Sequence, residues 1–218
     1  MGTFKPGPMG VVRGLIDTIV ASKWKDTFVV KGRPTKSNKP ATLQQADQRL
    51  RFALITTLLK RIGSTIAVGY QNAGKNLTPM NVASRYHLDK AITGIYPDYK
   101  VDFTKLKLSN GDESSLDDAW KPKVAASAGA MVTVSWELNP YPGKTSSISD
   151  VMTILFYDVE KDRFVTLDSA ALRSELTRAE ELPDVYVGDS LHCWIMFVSP
   201  DGKRVSISQY LGQVKLLA

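Results

Sequence analysis

Cysteine and histidine are scarce in this sequence, and their scarcity excludes several classes of function. The 218 residues include one cysteine, Cys193, and two histidines. A single cysteine cannot form an internal disulfide, and a structural zinc site needs about four ligands in a compact pattern. The Gly-x-Ser-x-Gly motif of a hydrolase nucleophile does not occur either. We therefore predict no catalytic residues, no metal site and no cofactor.

Long apolar runs are also missing. No stretch without a charged residue is longer than 13 residues, the length of the stretch 62–74, whereas a helix that crosses a bilayer needs about 20 apolar residues. Arg13 and Asp17 interrupt the apolar stretch near the N-terminus, so no secretory signal is evident. The sequence predicts a soluble protein without a membrane span, cytoplasmic by default. A particle-associated or unconventionally exported protein would have the same features.

Charge is divided unequally between the two halves of the chain. Residues 1–109 contain 18 basic and 6 acidic residues, a net charge of +12, whereas residues 110–218 contain 10 and 16, a net charge of −6. This asymmetry predicts two units with different partners, or units that attract each other in neighbouring copies. A basic half is also typical of a nucleic-acid-binding protein, although no helix-turn-helix, RNA-recognition or zinc-finger signature occurs.

The N-terminal part, residues 1–98, is predicted to be a basic region with an arm, a β-hairpin and a helical hairpin. Two β-branched and aromatic segments, 11–20 and 24–31, predict the β-hairpin, with its turn at 21–23. Apolar residues at spacings of three and four predict a helix over 43–62. A second helix is predicted to start at Thr78 and Pro79 and to stop at Gly94.

The C-terminal part, residues 99–218, has the pattern of a β-sandwich. About seven short strands separated by turn residues are typical of an immunoglobulin-like domain. Because the disulfide of antibody domains is absent, the fibronectin-III-like variant fits better, with Trp136 in its core. The fold class is therefore α+β. The segments predicted as strands are 104–108, 131–138, 151–157, 163–167, 191–198 and 205–211.

One segment superficially matches a phosphate-binding loop. Residues 69–76 contain two glycines and a lysine at the spacing of that motif. Asn76, however, replaces the Ser or Thr that holds magnesium, and the following helix begins only at Pro79 rather than at the lysine. We interpret the segment as a loop between two helices.

Residues 40–52 follow the pattern Pro-x-Thr-x-x-Gln-x-x-x-Arg-x-x-Phe. Together with Gly7, Gly10 and Gly14 and the turn at 199–203, this segment resembles an uncharacterised family of Bacteroidota proteins of about this length. The helix start is also similar to one in small phage-like structural proteins. The resemblance implies no particular activity.

The residues themselves assign the motif local roles. Thr42 and Gln45 form a capping pair, and Leu50 and Phe52 are predicted to pack against the rest of the chain. Arg49 has no role in that scheme. Its planar guanidinium suits a carboxylate or carbonyl on another element or another chain.

The sequence thus predicts a non-enzymatic structural or interaction protein that docks through its N-terminal region. The expected partner is a protein or a second copy of the chain, and no small-molecule substrate is indicated. The alternative is a nucleic-acid-binding accessory protein that uses the basic half. The candidate interaction residues are Trp24, Lys25, Arg33 and Arg49.

Overall fold

The computed structural model describes residues 2–5, 10–36, 39–74, 76–111 and 115–218. They form two compact units, Met1–Leu43 and Gln44–Ala218. The division falls at the start of the first long helix, whereas composition placed it after residue 98. The difference arises because the helices share a hydrophobic core with the strands that follow them.

The first unit is a four-stranded antiparallel sheet in the order β1-β4-β3-β2. The predicted turn at 21–23 is wrong, because these residues lie inside β3, and the chain reverses instead at Asp17-Thr18 and Lys25-Asp26. Both turns use a non-glycine residue with positive φ, Asp17 at 47° and Lys25 at 49°. Gly2–Phe4 of the predicted irregular arm is a strand, and residues 6–9 of that arm, including Gly7, lie outside the described residues. The strands are β1 (Gly2–Phe4), β2 (Gly14–Ile16), β3 (Ile19–Trp24) and β4 (Thr27–Gly32).

The described part of the second unit opens with three helices. The first predicted helix and the start of the second are confirmed, and the Thr78 hydroxyl accepts a hydrogen bond from the Asn81 amide (3.2 Å), as expected of an N-cap. The predicted stop at Gly94 is wrong, because the second helix ends at Lys90 and Gly94 lies in the strand that follows. The short middle helix was not predicted, because Gly63 was interpreted as the end of the first helix. No single helix in the described ranges is long and apolar enough to cross a membrane. The first two helices reach the length and apolar composition of a membrane span only when taken together, and they are bent by 90° relative to each other. The helices are α1 (Leu43–Arg61), α2 (Gly63–Gly69) and α3 (Pro79–Lys90).

In the described residues, nine further strands complete the second unit. A small hairpin follows α3. The strand predicted over 104–108 is wrong, because a 3₁₀ turn occupies Phe103–Lys105 and residues 106–108 are in no strand. Seven strands then form two antiparallel sheets, in the orders β10-β9-β12-β13 and β11-β8-β7. The strands are β5 (Ile92–Ile95), β6 (Asp98–Val101), β7 (Trp120–Ser127), β8 (Met131–Glu137), β9 (Val151–Asp158), β10 (Arg163–Leu172), β11 (Thr177–Glu181), β12 (Ser190–Val198) and β13 (Gln209–Lys215).

The four-stranded sheet of the second unit, β10-β9-β12-β13, is covered on both faces. Cys193 and Phe197 of β12 pack in one core with Trp136 of β8, as the sequence predicts. Trp194 of the same strand faces the other way and shares a second core with Leu59 of α1. The second unit therefore has three layers: helices, a four-stranded sheet and a three-stranded sheet.

His87 connects α3 to the segment that follows the small hairpin. Its side chain is fully buried. The Nδ1 atom lies 2.7 Å from the Ala83 carbonyl oxygen, and Nε2 accepts a hydrogen bond from the Lys107 amide (3.1 Å). Both contacts are satisfied by a neutral imidazole that carries its proton on Nδ1. His87 is therefore a packing residue.

Burial of His87 makes the stability of the protein depend on pH. Burial lowers the pKa of His87 below its ordinary value of about 6.5. As the pH falls below about 6.5, the unfolded chain binds a proton that the folded chain does not, so the free energy of unfolding decreases, by at most about 1.4 kcal/mol per pH unit for each such proton. Urea unfolding between pH 7.5 and pH 5 measures this slope.

Replacing the histidines one at a time separates their contributions. Burial also lowers the pKa of His192, so His192→Gln is the matched control. We expect His87→Gln to flatten the dependence on pH more than His192→Gln does, because His87 is the more deeply buried ring. A His87→Gln protein with the full wild-type slope would contradict this assignment.

Candidate functional site

The N-terminal half of α1 is the most exposed part of the helical layer. Full burial along α1 starts at Ile55. Leu50 is 38% exposed and Phe52 is 50% exposed, so the prediction that both pack against the rest of the chain is wrong. The physical reason is that α1 extends beyond the sheet that covers its C-terminal half. The conspicuous motif at residues 40–52 therefore contributes little to the core.

A groove runs along this exposed half, partly between α1 and α3 and partly on α1 alone. It consists of two adjoining hollows, of about 470 Å³ and 340 Å³, which share Gln48 and Phe52. Arg49 lines the smaller hollow, and Arg51 and Arg85 line the larger one. We call this feature the arginine groove; its defining residues are Gln48, Arg49, Arg51, Phe52, Arg85 and Leu88.

The positive charge of the arginine groove is largely uncompensated. Within the described ranges, neither Arg49 nor Arg85 makes a hydrogen bond or an ion pair through its side chain. Arg51 donates to the Leu88 carbonyl oxygen (3.0 Å), while its buried Nε has no hydrogen-bond partner. The carboxylate that lines the groove, Asp89, is paired with Lys90 at 3.0 Å. The groove thus presents guanidinium groups around an exposed aromatic ring, which suits carboxylates next to an apolar side chain.

The β5–β6 hairpin contacts the same half of α1. The Tyr99 hydroxyl donates a hydrogen bond to Asp47 of α1, and the Arg51 guanidinium lies 5.8 Å from the centre of the Tyr99 ring. This hydrogen bond raises the pKa of the Tyr99 hydroxyl, because ionisation would place a second negative charge beside the Asp47 carboxylate. These two contacts of Tyr99 hold α1 against the hairpin, while Gln48, Arg49 and Phe52 of α1 stay exposed.

The other predicted interaction residues belong to the first unit. Trp24 and Lys25 are adjacent at the turn between β3 and β4, where Trp24 is 51% exposed. Arg33 follows the opposite end of β4, about 20 Å away at roughly 3.4 Å per residue. All three belong to the first unit, and Arg49 to the second. Within the first unit, the structure therefore places Arg33 apart from Trp24 and Lys25.

An acidic surface lies on the β-sandwich, at the end of edge strand β11. Glu181 and Asp184 are exposed there, next to Val185, which is 51% exposed. In the part of the chain that the structure describes, neither carboxylate takes part in an ion pair. We call Glu181, Asp184 and Val185 the acidic patch.

Sequence reasoning missed all the residues of this acidic patch, as well as Arg85. The motif spacing did contain a signal for part of the groove, because Arg49 and Phe52 are three residues apart and lie on neighbouring positions of a helix surface. Nothing in the sequence relates Arg85 to them. Among the described residues, no group of three or more His, Cys, Asp or Glu is arranged to hold a metal ion.

These features define a protein of mixed helix and sheet with an open, charged surface groove. The chain belongs to DUF6266, a family of unknown function whose model matches residues 11–212. The resemblance to an uncharacterised family is thereby confirmed. No curated protein matches the chain.

Solved structures similar to part of the chain are fibronectin type III domains. The FN5 domain of Drosophila Lar has 13% identity and a TM-score of 0.34, and the match covers 47% of this chain and 98% of that one. The fn3 domain of human collagen alpha-1(XX) has 11% identity and a TM-score of 0.34, covering 50% of this chain and 93% of that one.

Proposed function

We propose that this protein is a non-enzymatic assembly subunit whose copies associate head to tail. The arginine groove of one copy binds the acidic patch of the next. The observation that carries the proposal is the set of arginines around Phe52, of which Arg49 and Arg85 have no partner in the described part of the chain. We further propose that β7–β13 form a fibronectin-III-like sandwich, with three strands facing four.

Complementary charge supports a second copy as the partner. The halves of the chain carry net charges of +12 and −6, so each copy offers both signs. At the local scale, Arg49 and Arg85 line the two hollows that share Phe52. Glu181 and Asp184 are exposed within four residues of the exposed Val185. A contact between two different patches is heterologous and forms a ring or an open chain of copies.

Light scattering after size exclusion tests this proposal on the full-length protein. We expect wild type to self-associate, more strongly at about 0.05 M salt than at about 0.5 M salt, because the contact is electrostatic. Arg49→Glu/Arg85→Glu is expected to weaken association more than tenfold. Lys123→Glu/Arg163→Glu is the matched control, because it changes the net charge equally at exposed positions outside both patches. Equal loss in the control, or a wild type that is monomeric in low salt, would refute head-to-tail assembly.

A second candidate function is binding of single-stranded nucleic acid by the first unit. The observation that favours it is the half-exposed Trp24 ring beside Lys25, since exposed aromatic rings next to cations stack on bases. Fluorescence anisotropy with a labelled oligonucleotide tests it. Binding that is lost in Trp24→Ala/Lys25→Ala but kept in Arg49→Glu/Arg85→Glu would support nucleic-acid binding over self-association.

A further inference from the structure

A second groove lies on the other side of α1, and it is largely apolar. The sequence predicts one apolar face along α1, but only its C-terminal part is buried. Leu50, Ala53 and Leu54 instead line an open groove of about 570 Å³, whose opposite wall includes Val101 and Phe103. Exposing this much apolar surface to water is unfavourable unless something covers it.

The polar rim of this groove carries one uncompensated charge. Arg61 and Asp162 form an ion pair, and the Tyr157 hydroxyl donates to the Asp162 carboxylate (2.8 Å). These groups therefore satisfy one another. Lys100 also lines the groove, and its ammonium has no hydrogen bond or ion pair with any residue in the described ranges.

We infer that this groove binds an acyl chain with a single anionic head group. The head pairs with Lys100, and the chain lies along Leu50, Ala53 and Leu54. The volume of about 570 Å³ lies within the range of small-molecule sites. The helix surface from Leu50 to Arg61 is about 16 Å long at 1.5 Å per residue, enough for a medium-length chain. Because the other charges at the rim are paired, a negative head is favoured over a neutral or positive one.

Calorimetric titration of the full-length protein with decanoate, kept below its micellar concentration, tests the inference. We expect saturable binding of one decanoate per chain and at least tenfold weaker binding of decyltrimethylammonium, which has the same tail and a positive head. Lys100→Glu is expected to weaken decanoate binding at least tenfold. Ala53→Trp, which fills the groove, is expected to abolish it. Lys123→Glu makes the same charge change on β7, far along the chain from the groove, and is expected to leave binding unchanged.

Several results would overturn the inference. Wild type that does not bind decanoate saturably would refute it, as would equal weakening by Lys100→Glu and Lys123→Glu. Equal binding of decanoate and decyltrimethylammonium would show that Lys100 does not select a negatively charged head group. Binding to anionic phospholipid vesicles without binding to monomeric decanoate would assign the groove to a membrane surface instead. Lys100 is exposed, so the Lys100→Glu protein is expected to fold. The inference can therefore be tested even if Ala53→Trp does not fold. This inference is independent of the proposed self-assembly, because the two grooves share no defining residue.

Discussion

Gly69→Ala is expected to lower the free energy of unfolding by about 3 kcal/mol. A Cβ atom at this position would lie 2.1 Å from the Leu108 carbonyl oxygen and 2.9 Å from the Ser109 Cα. Both are backbone atoms that cannot rotate away. The Asn110 amide also donates to the Gly69 carbonyl oxygen (3.1 Å), which fixes the spacing between α2 and this segment. Either the helix moves or the hydrogen bond is lost.

Gly63→Ala is the matched control for this substitution. Gly63 begins α2, and apart from its chain neighbours and the backbone of its own helix no atom lies within 4 Å of the position its Cβ would occupy. Alanine there is expected to be neutral or slightly stabilising, because it favours the helix and reduces the entropy of the unfolded chain. Denaturant unfolding of both variants measures the difference. If the two substitutions have the same effect, close packing at Gly69 is not the reason for glycine.

This result also bears on the segment that resembles a phosphate-binding loop. Its first glycine, Gly69, ends α2 and is required by close approach of another backbone segment. Its lysine, Lys75, lies outside the described residues. That the loop binds no nucleotide stays a prediction, which titration with ATP and magnesium tests.

Arg173→Met is expected to lower the free energy of unfolding by about 3–5 kcal/mol, because it leaves a buried carboxylate without its counter-charge. The Arg173 Nε donates to Asp150 (3.1 Å), and Asp150 is 1% exposed. A second guanidinium nitrogen donates to the Asp117 carbonyl oxygen (2.8 Å). The guanidinium also lies 3.8 Å from the centre of the Phe197 ring, at the edge of the sandwich core.

Two controls separate the lost charge pair from lost packing. Asp150→Asn/Arg173→Met removes both charges and is expected to be more stable than Arg173→Met alone. Lys121→Met breaks the exposed pair with Glu137 (2.9 Å) and is expected to cost less than about 1 kcal/mol. If Arg173→Met costs no more than Lys121→Met, the buried pair does not hold this part of the sandwich together.

Local signals made much of the fold predictable. The Thr78-Pro79 start of α3 and the alternation along β8 depend on neighbouring residues only. β11 was missed because this edge strand, Thr177–Glu181, is rich in charged residues and therefore has the composition of a loop. The turn at Lys25-Asp26 was missed because it lacks the glycine or asparagine that marks most hairpins.

The candidate site was predictable only in part. Arg49 was identified because it had no role in starting the helix. Only part of the groove, with Arg85 and Leu88, comes from α3. The acidic patch lies more than 100 positions after Arg49 in the sequence. Tertiary packing brings the groove residues of α1 and α3 together, and the proposed contact between copies depends on the shape of the two surfaces. The sequence pattern within one segment cannot predict either.

A charge-swap mixing experiment tests head-to-tail assembly most directly. Arg49→Glu/Arg85→Glu reverses the groove, and Glu181→Lys/Asp184→Lys reverses the acidic patch. We predict that each variant alone is monomeric by light scattering in low salt, because like charges then meet at the contact. In an equimolar mixture every groove finds a patch of opposite sign, so assembly is restored. A mixture that stays monomeric while wild type assembles, or variants that assemble alone, would contradict the account.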